Sequence, residues 1–148
     1  MEYVTREVEK MAFTIRYRDV TNPSFHTSIL KIARSTDLAF KPAYNVSRII
    51  KMIDSEMETY KELHQKLLQK YAEKDENGEL KIDKSVGKYV FEGDNEKAFT
   101  KEYQELLDVE FTVERYKIKP EDVEKVPLSP IDLTHLEPIM EPVLESVK

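Results

Sequence analysis

Apolar and polar side chains alternate in "AFTIRYRDV" (12–20): Phe13, Ile15 and Tyr17 fall on one side, and Thr14, Arg16 and Arg18 on the other. Period two in β-branched and aromatic residues predicts a half-buried strand. The period lengthens in "TNPSFHTSILKIARS", where Phe25, Ile29 and Ile32 form one helical stripe behind a cap at Asn22 and a proline at the first helical position. Residues 1–36 are therefore expected to hold an N-terminal strand and a short helix.

The strongest periodicity lies in "KPAYNVSRIIKMIDSEMETYKELHQKLLQKYAEKD". Val46, Ile50, Ile53, Met57, Tyr60, His64, Leu67 and Tyr71 recur in alternating steps of four and three, with Ile49, Leu63 and Leu68 widening the seam. This predicts one helix over 42–74, roughly 50 Å long at about 1.5 Å per residue. A helix of that length must project, pair with a second helix or meet a partner. A seam broader than strict heptad positions favours packing within the domain over self-association, although a homo-oligomer built through this helix remains an alternative. Turn signals at Asn77-Gly78 and Val86-Gly87 predict a hairpin over 79–92. Asp94 is read as the cap of a helix over 94–108 whose apolar face is Phe99, Tyr103, Leu106 and Leu107.

Residues 109–118 read as the last strand, with Val109, Phe111 and Val113 inward and Glu110, Thr112 and Glu114 outward; the parity changes after Val113, which predicts a bulge or strand end. Residues 119–148 form a proline-punctuated tail with short helical pieces. The pattern as a whole predicts a single α+β domain over 1–148. A long helix and a shorter antiparallel helix pack on a small, mainly antiparallel sheet, and a C-terminal helix clasps the core.

Charge sharpens this picture. The net value of −6 divides unevenly: residues 1–52 carry nine Lys/Arg against five Asp/Glu, and 53–148 carry fourteen against twenty-four. Five of the six arginines (Arg6, Arg16, Arg18, Arg34 and Arg48) lie in the first third. The outward Thr–Arg–Arg of the first strand complements the acid–Thr–acid of the last, so cross-strand ion pairs are the preferred reading of Arg16 and Arg18. The functional alternative makes Arg16, Arg18, Arg34 and Arg48 a partner-binding set. Nucleic-acid binding needs clustered basic and aromatic residues, and with Tyr17 these arginines are the only candidates.

Candidate chemistry is sparse. The chain has no cysteine, which excludes disulfides, thiolate zinc sites and cysteine nucleophiles. No stretch is apolar for the length of a membrane span, and "MEYVTREVEKM" lacks the signal-peptide layout, so a soluble, intracellular protein is expected. Three glycines supply no phosphate-cradling loop. His26, His64 and His135 are far apart in sequence, and His64 reads as a half-buried seam residue. In "PLSPIDLTHLEPIMEP" (127–142), Asp132, His135 and Glu137 suggest a ligand cluster. Yet Ser129, Pro130 and Asp132 form a helix start, and Glu137 lies about 200° around the helix from His135. "EKDENGELKIDK" (73–84) imitates a calcium loop but ends in Lys84, where a bidentate carboxylate is required. Neither catalytic residue, cofactor nor metal is expected.

Three segments in order, "LAFKPAYNVSRIIKMI", "KLLQKYAEKDENGEL" and "PEDVEKVPLSPIDLTHLEP", resemble a family of small, mostly uncharacterised proteins of tailed bacteriophages. The resemblance spans roughly 37–140, and Ala72 stands where the family pattern has glycine. It brings no catalytic residues. It implies a phage-encoded accessory protein of the host cytoplasm or the virion. The leading expectation is a non-enzymatic protein that binds another protein, host or phage, with inhibition of a host factor or defence component as its purpose. The alternative is a virion structural or assembly component present in many copies, and a nucleic-acid-binding module ranks below both.

Overall fold

A computed structural model describes residues 11–142; the arginine at position 6 and the end of the tail lie outside them. Strand β1 (Phe13–Arg16) pairs antiparallel with β4 (Glu110–Val113), in the register Phe13↔Val113, Ile15↔Phe111 and Arg16↔Glu110. Phe13, Ile15, Phe111 and Val113 are buried, as the alternation requires, whereas Val109, expected inward, is 43% exposed because the last strand covers only Glu110–Val113 of the expected 109–118. The first strand ends earlier than the alternation predicts. The backbone N–H of Arg16 donates to the carboxylate of Asp19 at 3.1 Å, which closes a helical turn, α1 (Tyr17–Val20). Tyr17 and Val20 are three apart and both buried, so the apolar side survives the change of period.

Helix α2 (Pro23–Ala33) starts as expected, the Asn22 side chain accepting from the N–H of Ser24 at 2.9 Å. The long helix α3 spans Phe40–Tyr71, beginning two residues before Pro42 and stopping three short of Lys74. Its buried positions are Val46, Ile49, Ile53, Tyr60 and Leu68, while Ile50, Met57 and Leu67 are only partly covered. The inward line is thus rotated from the heptad seam toward Ile49. A two-stranded hairpin, β2 (Ile82–Asp83) with β3 (Lys88–Tyr89), follows the long helix. It is anchored by bridges from Ala72 to Phe91 and from Lys74 to Leu80.

Helix α4 (Asn95–Leu107) returns along α3: Tyr60 meets Tyr103 while His64 meets Phe99, an antiparallel pairing. Asp94 occupies the cap position but its side chain makes no capping bond. Beyond β4 the chain makes a 3-10 turn (Pro120–Val123), helix α5 (Pro130–Leu136) and a second 3-10 turn (Glu137–Ile139). Ile118 bonds Ile139 and Glu141 at 2.8 Å each, fixing the end of this segment to the sheet side. One hydrophobic cluster draws on every strand and helix except the β2–β3 hairpin. The architecture is therefore α+β, with a long helix, a shorter antiparallel helix, small antiparallel sheets and a C-terminal clasp.

Candidate partner interface

The four arginines singled out by sequence do not form one site. Arg16 lies opposite Glu110 in the sheet register and pairs with it at 3.7 Å. Arg18 is not on the sheet: the turn of α1 sends it to the C-terminal end of α4, where it donates to Asp108 (3.0 Å) and Gln104 (2.9 Å). Both are solvent-facing ties between neighbouring elements, each contributing about 0–1 kcal/mol. Arg34 and Arg48 differ. Neither makes a side-chain hydrogen bond or ion pair with any described residue.

Arg34 is the residue that ends α2 at the junction with α3, and Arg48 lies further along α3, one turn beyond Tyr44. Ile32 and Ala33 from α2, Leu38 from the connection, and Ala43, Val46 and Ile50 from α3 line a groove of about 280 Å³, with Ser35, Ser47 and Lys51 as its polar members. Beside it Phe40 is 81% exposed and Tyr44 51% exposed, their rings stacked at 6.2 Å. At about 100° per residue, Ala43 and Ile50 lie on the groove side of α3, followed around the helix by Phe40, Lys51, Tyr44 and Arg48. The sequence reading missed one participant. Arg115, the arginine outside the first third, stacks its guanidinium over Tyr44 at 5.4 Å and donates to Asn45 at 2.9 Å. Asn45 in turn donates to the carbonyl of Tyr116, tying the chain after β4 to the first turns of α3. Only the contact across 71 residues reveals Arg115; a basic residue beside an aromatic is too common in sequence to mark it.

Helix α3 also begins without a capping side chain and without an acid in its first turn, where Lys41 stands instead. Its positive end is therefore not neutralised by its own sequence.

The polar residues of the C-terminal segment are drawn into structure. Asp132, 5% exposed, accepts from Ser28 (2.7 Å) and Lys31 (2.7 Å) of α2 and from the N–H of Ser129 (2.9 Å), while Ser129 Oγ accepts from the N–H of Asp132. The Lys31 ammonium, the Ser129 amide and the Ser28 hydroxyl hold its carboxyl well below the usual range. Sequence gave the capping box but not Ser28 and Lys31, which complete it from more than a hundred residues away. Asp75 accepts from the N–H groups of Asn77 and Glu79, so its carboxylate closes the turn after α3. Among the described residues no three His, Asp or Glu side chains gather as metal ligands would, and no described helix is long and apolar enough to cross a membrane.

Where α3 meets α4, Tyr60 and Tyr103 share a 2.8 Å hydroxyl bond, and His64 lies among Tyr60, Phe99 and Tyr103. Burial lowers the pKa of His64. Tyr17 stacks on Tyr60 and donates to Glu56 at 3.2 Å; burial, then the Glu56 charge, pushes its phenol up to about 12.

Compared with known protein families, curated proteins and solved structures, the chain finds no match in any of the three.

Proposed function

We propose that this is a non-enzymatic, phage-encoded accessory protein that works by binding another protein, its target class being a host factor or defence component. The observation that carries the reading is the exposed aromatic pair Phe40–Tyr44 beside an apolar groove at the start of the long helix. Tyrosine and arginine are enriched among the side chains that dominate interface energetics, and aromatic rings bury large area on few rotatable bonds. The acid–base candidates support it as well: Asp132 joins two helices, Asp75 closes a turn, and His64 packs among aromatic rings. The phage origin rests on the motif resemblance alone.

Affinity purification from infected cells tests this, using wild type alongside Phe40→Ala/Tyr44→Ala. A protein retained by wild type and lost by the double variant is the expected result; no retained protein, or equal retention by both, refutes the reading. Mass spectrometry of purified virions supplies the opposing outcome. Stoichiometric incorporation replaces the accessory-protein reading with that of a structural component.

A further inference from the structure

We propose that the groove at the α2–α3 junction, with the Phe40–Tyr44 face beside it, docks a short acidic segment of another protein anchored by one apolar side chain. This rests on the protein-binding reading and names the chemistry of its partner. The surface around the groove is locally positive. Arg16, Arg18, Lys31, Lys61, Lys70 and Lys81 each have a carboxylate within 4 Å. Fourteen other Lys/Arg among the described residues have no such partner, and what marks this face is local excess: residues 33–52 carry Arg34, Lys41, Arg48 and Lys51 against Asp37 alone, and Arg115 adds a fifth cation over Tyr44. The bordering acids Asp37 and Asp54 pair with none of them. The uncapped positive end of α3 adds to the same field.

The groove sets the second requirement. Its volume of about 280 Å³ and its lining by Ile32, Val46 and Ile50 suit an apolar side chain; pockets for whole small molecules run to roughly 300–1,000 Å³. Phe40 and Tyr44 lie on the adjoining side of α3, where a segment running on from the groove would cover them and displace water from both rings. An acidic peptide satisfies cations and groove together. A nucleic acid satisfies only the cations and rings: its phosphate chain, extending past this face, meets a protein of net charge −6 with twenty-four carboxylates in residues 53–148.

Sorting a display library of random short peptides on the full chain tests the proposal, followed by fluorescence anisotropy of the selected peptides. The expected winners combine Asp/Glu with a single Leu, Ile, Met or Phe. Their Kd rises by about tenfold or more in Phe40→Ala and in Arg34→Glu/Arg48→Glu, the loss typical of interface anchors. Binding also weakens as salt is raised, through screening of the cations. Phe40, Arg34 and Arg48 make no side-chain bonds to lose, and circular dichroism checks that each variant is folded. Winners without acidic bias, winners indifferent to these substitutions, or no winners at all overturn the proposal. So does tighter binding of poly(U) than of any selected peptide, or a Phe40-dependent dimer seen by light scattering, which would make a second copy the occupant. A cellular partner whose capture ignores Phe40 and Arg48 sinks this site assignment, yet leaves protein binding itself standing.

Discussion

Helix α5 provides the sharpest energetic test because it carries both extremes of burial on seven residues. Leu136 has no exposed surface, whereas Ile131 is 69% exposed. Truncating a fully buried leucine to alanine costs about 2–5 kcal/mol, the spread reflecting how far the surroundings collapse into the space left behind. Collapse is opposed here. The Ser129–Asp132 capping box and the Asp132 bonds to Ser28 and Lys31 hold one end of the segment, and the Ile118 bonds to Ile139 and Glu141 hold the other. Leu136→Ala is therefore placed at about 3–4 kcal/mol within that range, a large share of the roughly 5–15 kcal/mol by which a domain is stable. Ile131→Ala should stay within about 0.5 kcal/mol of wild type. Urea unfolding followed by far-UV circular dichroism suits a chain that lacks tryptophan. A Leu136→Ala midpoint indistinguishable from wild type, or an equal loss in Ile131→Ala, would refute the docked position of α5.

Removing the cap with Ser129→Ala should cost about 1 kcal/mol in the same assay, since Ser129 Oγ accepts the Asp132 amide. Tyr60→Phe should lose about 0.5–1.5 kcal/mol through the missing hydroxyl bond to Tyr103; no loss would mean the bond is absent in solution. His64 has its pKa lowered from 6.5 in the folded state, so the unfolded chain binds the proton more readily. Its contribution is complete above pH 6.5 and declines as pH falls through that value; His64→Phe should flatten this part of the stability profile. Asp132 has the opposite kind of group but the same direction. Its folded pKa is depressed below 3.8, so its contribution is present above that value and lost as pH drops further. Asp132→Asn should remove that acid limb, as read by acid titration of the helical signal.

The elements were legible where local chemistry and the apolar period agree. Asn22-Pro23 opens α2, Ser129-Pro130 opens α5, and the complementary outward faces of β1 and β4 place Arg16 against Glu110. The signal failed where one residue satisfies two periods. Tyr17 continues the alternation from Phe13 and Ile15, but with Val20 it also fits a helical turn, and Asp19 decides for the turn by capping Arg16. That change of direction is why Arg18 reaches Asp108 instead of a strand partner. The heptad reading of α3 placed Ile50 on the inner line; the structure buries Ile49 more deeply and leaves Ile50 on the wall of the groove. Of the named arginine set, Arg16 and Arg18 are tied into neighbouring elements, while Arg34 and Arg48 have no ion-pair partner among the described residues. Arg115, Ser28 and Lys31 needed the fold to reveal them, since each acts across 70 residues or more.

The central claim is that this protein acts through another protein bound at the start of its long helix. Replacing Tyr44 with a photo-crosslinking phenylalanine analogue, and Glu124 likewise as a distant exposed control, tests it inside infected cells. One discrete protein adduct should form at position 44 and not at 124, and should fade when Arg34 and Arg48 are both changed to glutamate. Adducts equal at the two positions, or none at 44, would contradict the account.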